Sequence, residues 1–99
     1  MKHISKGFEF KIKIKGLDLE REYEVVLVSK SKSFVSNAEL LVNEEDESIT
    51  CVWSSEKTSS LITAKLDLEI YSKDKTFYLC ESDFVCVHET SIVNNITQS

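Results

Sequence analysis

Two segments of this 99-residue chain, residues 8–15 and 62–71, alternate apolar and polar side chains without interruption. Successive side chains of a β-strand point to opposite faces of its sheet, so this pattern predicts strands with one face in a core and the other in water. A strand is stable only beside other strands and over a hydrophobic layer. The two segments therefore require a sheet, and they restrict the fold more than any other feature of the chain.

Strand-like sequence continues between and after these segments. Residues 23–29 are a β-branched run that is apolar on both faces, which predicts a central strand. Residues 34–42 contain helix formers beside strand formers, and we interpret them as a strand because their neighbours are strands. Further strands are predicted at residues 49–53, 76–81 and 84–88. About seven short strands joined by polar turns predict an all-β chain folded as a β-sandwich.

The predicted domain covers residues 1–93 and leaves a polar tail at residues 94–99. One domain is the expected number, because a chain of this length builds one small core. The polar connector at residues 54–60 is expected to contain a helical turn capped by Ser54 or Ser55.

The chain has two glycines, Gly7 and Gly16, and no proline. Loops that cradle phosphate need several glycines for close backbone approach, so P-loop and dinucleotide-binding folds are excluded. The turns must be built from Ser, Asn, Asp and Lys, which produces polar loops rather than rigid catalytic ones. We therefore expect a non-enzymatic protein with no catalytic residues and no cofactor.

Charge is distributed unevenly along the chain, whose formal net charge is −5. The first predicted strand carries Lys11, Lys13 and Lys15 on its polar face. A later turn contains four consecutive carboxylates, which are Glu44, Glu45, Asp46 and Glu47. We predict a protein-interaction surface of complementary charge, in which the lysines meet either this acidic turn or the acidic residues between Glu81 and Glu89. The acidic total argues against nucleic acid as a partner, because phosphate neutralisation needs a dense basic face.

Three cysteines, an odd number in a short chain, argue against a disulfide framework. Cys80 and Cys86 are the one pair with a candidate redox spacing. If residues 80–86 are extended, the two α-carbons lie about 20 Å apart. A disulfide needs less than about 7 Å, which only a tight turn at residues 81–83 would provide.

The sequence offers few metal ligands or catalytic constellations. Cys86 and His88 are two residues apart and share a strand face, which supplies two ligands. Two ligands are too few for a zinc site, and the acidic turn lacks the spacing and the glycine of an EF-hand, so no metal is predicted. His3 and His88 have no nucleophile at a recognisable spacing, so no catalytic triad is predicted either.

The amino-terminal residues lack the apolar run of roughly 7–15 residues that a secretory signal needs. The longest apolar stretch, residues 25–28, is also much shorter than the roughly 20 residues of a membrane span. We therefore expect a protein of the cytoplasm, or the mature fragment of an exported protein, with no membrane partner.

Two resemblances add further expectations. Tyr78, Leu79 and Cys80, followed by Cys86, resemble the paired cysteines in the immunoglobulin-like N-terminal domain of the membrane thiol-reductase DsbD family. This resemblance implies thiol–disulfide exchange by Cys80 and Cys86.

The second resemblance is carried by a glycine-containing start at residues 6–10, an Asp-Leu turn at 17–19, a polar connector at 54–61, and a closing hairpin and last strand at 66–87. Taken together, residues 4–93 resemble the small immunoglobulin-like modules of tailed-phage virions, such as the N-terminal domain of baseplate upper proteins. The resemblance implies an immunoglobulin-like sandwich without catalytic residues, which attaches and assembles virion parts.

The combined prediction is a single immunoglobulin-like β-sandwich that serves as a structural or assembly protein of a phage virion, assembled in the host cytoplasm. Its partners would be proteins, either further copies in a homo-oligomer or a larger virion assembly. Two alternatives stay open: a thiol–disulfide exchange domain that uses Cys80 and Cys86, and a small binding or inhibitor module.

Overall fold

The computed structural model describes residues 1–89, which contain eight strands and one short helix. In chain order these elements are β1 (Lys2–Ser5), β2 (Phe10–Lys15), β3 (Tyr23–Val28), β4 (Val35–Asn37), β5 (Glu39–Asn43), β6 (Ser48–Trp53), α1 (Ser55–Ser59), β7 (Lys65–Ser72) and β8 (Tyr78–His88). The prediction of an all-β chain is confirmed. The predicted polar tail and the predicted end of the domain lie outside the described residues.

The strands form two sheets that pack face to face. One has five strands in the order β1-β8-β7-β3-β4, and the other has three in the order β2-β6-β5. All neighbouring strands are antiparallel except β1 and β8, which are parallel. The core between the sheets includes Val25, Leu27, Ile49, Cys51, Trp53, Leu66, Leu68, Ile70, Val85 and Val87. Burial of this shared apolar layer is the main force that holds the sheets together.

The first alternating segment forms β2, but it begins later than the sequence predicts. Phe10, Ile12 and Ile14 pack against the core, as expected. Phe8 was predicted to join them, yet it precedes the strand and is 53% exposed. The reason is a turn after β1, in which Gly7 has φ of 88° and the backbone N–H of Phe8 donates to the carbonyl of Ser5.

The second alternating segment forms β7, which starts at Lys65 and leaves Ile62 exposed before the strand. Within the strand, Asp67 was predicted to face water but is buried. Its carboxylate lies 2.6 Å from the Lys30 ammonium and accepts a hydrogen bond of 2.9 Å from the backbone N–H of Asp83. An ion pair and a backbone donor therefore replace the water that the alternation pattern assumes.

The segment at residues 34–42 forms strand, as predicted, but as two strands in different sheets. β4 belongs to the five-stranded sheet and β5 to the three-stranded one. The chain crosses between them at Ala38, whose N–H donates to the carbonyl of Val25 at 2.9 Å. This change of sheet explains why the segment mixes strand and helix formers and follows neither period.

The two last predicted strands are one long strand, β8, interrupted by a bulge. Leu66 pairs with Val85 and Leu68 pairs with Glu81, so two residues of β7 span four residues of β8. Asp83 lies within the bulge, and its φ is 52°. The predicted break between residues 81 and 84 is therefore a local irregularity and does not end the strand.

β1 was not predicted, because its short sequence shows no alternation. It pairs in parallel with the end of β8, from Lys2 opposite Val85 to Ser5 opposite His88. The added β1 and the division of residues 34–42 raise the strand number by two, and the continuous β8 lowers it by one. The described residues therefore form eight strands where about seven were predicted.

Two local predictions are confirmed, namely the central strand at residues 23–29 and the helical turn capped by Ser54 or Ser55. β3 lies between β7 and β4 and is thus a central strand. Trp53 is fully buried, and its indole N–H donates to the carbonyl of Ser36 at 3.1 Å. Ser54 caps α1, because its hydroxyl accepts the N–H of Lys57 at 3.2 Å. No helix among residues 1–89 has the length and apolarity needed to cross a membrane.

Candidate functional site

The predicted lysines and the predicted acidic turn lie close together in one molecule. Lys11, Lys13 and Lys15 are exposed on β2, and the acidic turn connects β5 to β6, the strand beside β2. The Lys13 ammonium lies 3.0 Å from a carboxylate oxygen of Asp46. The hydrogen bond from the Ser48 hydroxyl lowers the pKa of Asp46 most, and the hydrogen bond from Lys13 lowers it further. Part of the predicted interaction surface is therefore already paired within the chain.

The other members of this surface are more accessible. Glu44, Glu45 and Glu47 are all exposed. On β2, Lys11 lies 3.4 Å from Glu9, and both side chains are more than half exposed. Exposed pairs of this kind contribute little to stability, so these charges can be rearranged at small cost when a partner approaches.

An open groove of about 740 Å³ runs along β2 between the two sheets. It exists because a sheet of three strands cannot cover a sheet of five. Its floor includes Leu68, Ile70, Phe77 and Phe84, and the three lysines of β2 line its side. Leu79 pairs with Ile70 and so faces the core side of the sheet, yet it is 45% exposed. The groove therefore combines an apolar floor with a basic border.

β2 and β5 are the two edges of the three-stranded sheet. Each pairs with β6 alone, so each presents backbone N–H and C=O groups to an added strand. On β5, Leu41 is 52% and Val42 is 55% exposed. Val42 pairs with the core residue Ile49 and hence points toward the core side of the sheet, beyond the cover of the other sheet. Both edges thus combine open backbone with accessible apolar surface.

The structure does not bring Cys80 and Cys86 together. Both lie on β8, where Cys80 pairs with Glu69 and Cys86 pairs with Lys65. Four residues of β7 separate these pairs, which corresponds to about 13 Å along a strand, too far for a disulfide. All three thiols are free, and burial raises the pKa of the Cys51 thiol to about 11. Cys51 is therefore protonated at neutral pH and serves as a core residue.

A cluster that the sequence does not predict lies on the outer face of the five-stranded sheet. His3 pairs with Cys86 across the parallel β1–β8 contact, and His88 follows two residues later on the same face. The Nδ1 atom of His3 lies 2.9 Å from the Nε2 atom of His88, and the two rings are stacked with centroids 5.1 Å apart. One ligand atom from each of the three residues lies within 4.8 Å of the other two.

Sequence reasoning found two members of this cluster, Cys86 and His88, and missed the third. His3 and His88 are separated by 85 positions and meet only because β1 pairs with β8. The available signal was indirect: these are the only two histidines of the chain. The groove was missed for a related reason, since it depends on the unequal widths of two sheets.

No protein-family model, curated protein or solved structure matches this chain. Its function has to be inferred from its own residues and their geometry.

Proposed function

We propose that this chain is a non-enzymatic assembly protein that associates head-to-tail with further copies of itself through β2 and β5. The observation that supports the proposal is the complementarity of these two open edges. β2 carries lysines beside an apolar groove, and β5 carries Glu39 together with the exposed Leu41 and Val42. Strand addition supplies main-chain hydrogen bonds, and the side chains determine which edges pair.

The register within one sheet predicts which side chains would meet. Lys11 and Glu39 both pair with Val52, from opposite sides, so they lie at the same level of the sheet. If the β5 edge of one copy continues the sheet at the β2 edge of the next, Glu39 lies beside Lys11. Val42 then faces the groove, where its exposed side chain covers part of the apolar floor.

Charge disfavours the alternative in which like edges pair. Two β2 edges would place lysine strands side by side, and like charges directly opposite one another are destabilising. A β2–β5 contact relieves this repulsion. Unlike edges give a heterologous interface, which generates a closed ring or an open filament according to the rotation between copies.

The finer assignment, an immunoglobulin-like module of a tailed-phage virion, rests on the resemblance of the amino-acid sequence of residues 4–93 to those modules. Capsid or tail genes beside the gene for this protein, and its detection by mass spectrometry in purified particles, are the expected findings. Its absence from the particles of a phage that expresses it would contradict the virion assignment and leave head-to-tail association to be judged separately.

The association itself is tested by light scattering over a range of protein concentration and salt. We expect the mass to rise above the 11.3 kDa of one chain as concentration increases. Salt should reduce the association, because charges exposed at the rim are screened. Val42→Lys puts a cation where an apolar side chain would cover the floor of the groove, and Lys11→Glu with Lys15→Glu reverses the charge of the β2 edge. Each of these changes should lower the mass to that of the monomer.

Val35→Lys is the matched control, since Val35 is 52% exposed on β4, an edge strand of the other sheet. It should associate like the unchanged protein. A strict monomer at every concentration would rule out self-assembly. If only one of the two edges proves sensitive, the contact joins like edges and the head-to-tail arrangement is wrong.

A further inference from the structure

We infer that His3, Cys86 and His88 form a binding site for Zn²⁺ on the outer face of the five-stranded sheet. The site involves neither the β2 edge nor the β5 edge, so it is independent of the proposed assembly. It brings both histidines of the chain to one of its three cysteines. Imidazole nitrogen and thiolate sulfur are the ligands that zinc prefers in proteins.

The distances are close to those that zinc requires. With Zn–N bonds of about 2.0 Å and a Zn–S bond of about 2.3 Å, tetrahedral ligand atoms lie roughly 3.5 Å apart. The three donor atoms already lie within 4.8 Å of one another, and the two imidazole nitrogens lie 2.9 Å apart. Closure around an ion needs the rings to separate slightly and the thiol to approach. His3 is exposed on the edge strand β1, where its ring has room to adjust.

Two of the ligands are held by the sheet before any ion arrives. Cys86 and His88 are partly buried on β8, where they alternate with the buried Val85 and Val87 that face the core. The third ligand is fixed in register by β1, because His3 is paired directly opposite Cys86. Prior placement of the donors reduces the conformational entropy that binding would otherwise cost.

The His3–His88 hydrogen bond determines which protons move when zinc binds. In the His3–His88 hydrogen bond, one of the two facing nitrogens carries a proton and the other offers its lone pair. When zinc binds, that proton moves to the outer nitrogen of the same ring, so that both facing nitrogens offer lone pairs. The Cys86 thiol loses its proton to solvent as the Zn–S bond forms. Binding therefore releases one proton per ion, and water occupies the fourth position.

Titration of the metal-free protein with Zn²⁺, and with Co²⁺ as a coloured substitute, tests the site. We expect one ion per chain, a sulfur-to-cobalt charge-transfer band, and release of one proton per ion. Zinc should also raise the thermal unfolding midpoint, because an ion that binds only the folded chain stabilises it. His3→Ala should weaken zinc binding by at least about 10-fold. Removal of a residue that only hydrogen-bonds to a metal ligand already costs about that much affinity, and His3 is proposed as a ligand itself.

Cys86→Ser should abolish the charge-transfer band, whereas Cys80→Ser is the matched control and should retain both the band and the affinity. Cys80 also lies on β8 but is exposed, and it precedes His88 by eight residues. His3 is paired opposite Cys86, six residues after Cys80. Because His3 is exposed, His3→Ala is expected to fold normally, and circular dichroism of each variant verifies this. The proposal is overturned if no ion binds at micromolar concentrations, or if His3→Ala and Cys86→Ser bind as tightly as the unchanged protein.

Discussion

Asp67 is the only charged side chain that is buried among residues 1–89. Its carboxylate accepts hydrogen bonds from the Lys30 ammonium and from the backbone N–H of Asp83. The first of these, more than any other contact, lowers the pKa of Asp67. The Asp67 side chain on β7 thus satisfies a backbone donor in the bulge of β8. It also links both strands to Lys30, which follows β3.

Asp67→Ala is expected to lower the free energy of unfolding at neutral pH by about 1–3 kcal/mol, because it leaves a backbone donor of the bulge without its acceptor. The pKa of Asp67 is lower in the folded state than in the unfolded chain. Its charged form therefore contributes full stability above the unfolded pKa of about 3.9, and this contribution is lost as the pH falls through the folded pKa. Denaturant unfolding at several pH values measures both effects.

Glu22→Gln is the control for this experiment. Glu22 lies 3.7 Å from Lys73 and its side chain is 79% exposed, so its removal should change stability by less than about 1 kcal/mol. The difference between Asp67→Ala and the unchanged protein should begin to shrink as the pH falls below about 3.9, where Asp67 of the unfolded chain becomes protonated, and should shrink further as the pH passes through the lower pKa of the folded state. A difference that is constant across this range would mean that the charge of Asp67 contributes nothing.

Backbone conformation is a second property at this scale. Gly16 directly follows β2 and has a φ of 89°. Four residues other than glycine also have positive φ, namely Lys32, Glu47, Lys75 and Asp83. The scarcity of glycine in the sequence therefore has a structural counterpart, since polar residues occupy positions that glycine adopts more easily.

Gly16→Ala is expected to lower the free energy of unfolding by about 1–2 kcal/mol, the cost of a left-handed conformation for a residue with a side chain. Apart from Gly16 and its two chain neighbours, no residue places a heavy atom within 4 Å of the added Cβ, so the loss measures backbone strain without a clash. The reverse change, Lys75→Gly at φ of 63°, should leave the protein no less stable. Thermal unfolding compares the two, and a destabilised Lys75→Gly would contradict the strain interpretation.

At the scale of elements, the position of a strand in its sheet determines how well its hydrogen bonds are protected. β3 pairs on both sides, with β4 and with β7, and residues 25–28 are fully buried. β1 pairs on one side only and is largely exposed. Local opening requires the least free energy where few apolar contacts are lost.

Hydrogen–deuterium exchange should therefore be slowest in β3 and β7 and fastest in β1 and β4 among the strands of the five-stranded sheet. Mass spectrometry of peptic fragments resolves these elements. The α1 segment serves as an internal reference for short, weakly protected structure. Protection of β1 equal to that of β3 would show that its edge is covered in solution, for example by bound metal or a second copy.

The sequence predicts these elements where alternation is local and fails where a strand depends on a distant partner. β2 and β7 are recognisable because each keeps one face in the core, and β3 because both of its faces are buried. β1 has no such pattern, since it is a short strand at an edge. The split at Ala38 is equally invisible, because a change of sheet alters the direction of the chain without a proline or glycine to mark it.

At the scale of the whole molecule, the candidate sites arise from the way the elements are combined. The lysine strand and the acidic turn can be read from the sequence, but their Lys13–Asp46 contact requires β6 to lie between β2 and β5. The groove depends on five strands facing three. The histidine cluster depends on the parallel contact between β1 and β8, which no local pattern encodes.

That contact between β1 and β8 also has a consequence in time. A ribosome completes β1 first and must add the residues up to His88, 85 positions after His3, before the partner strand exists. At a synthesis rate of roughly 5–20 residues per second, this interval lasts about 4–17 seconds. During translation the nascent chain can form its hairpins early, but the five-stranded sheet acquires its last strand only when the first and last segments are both outside the ribosome.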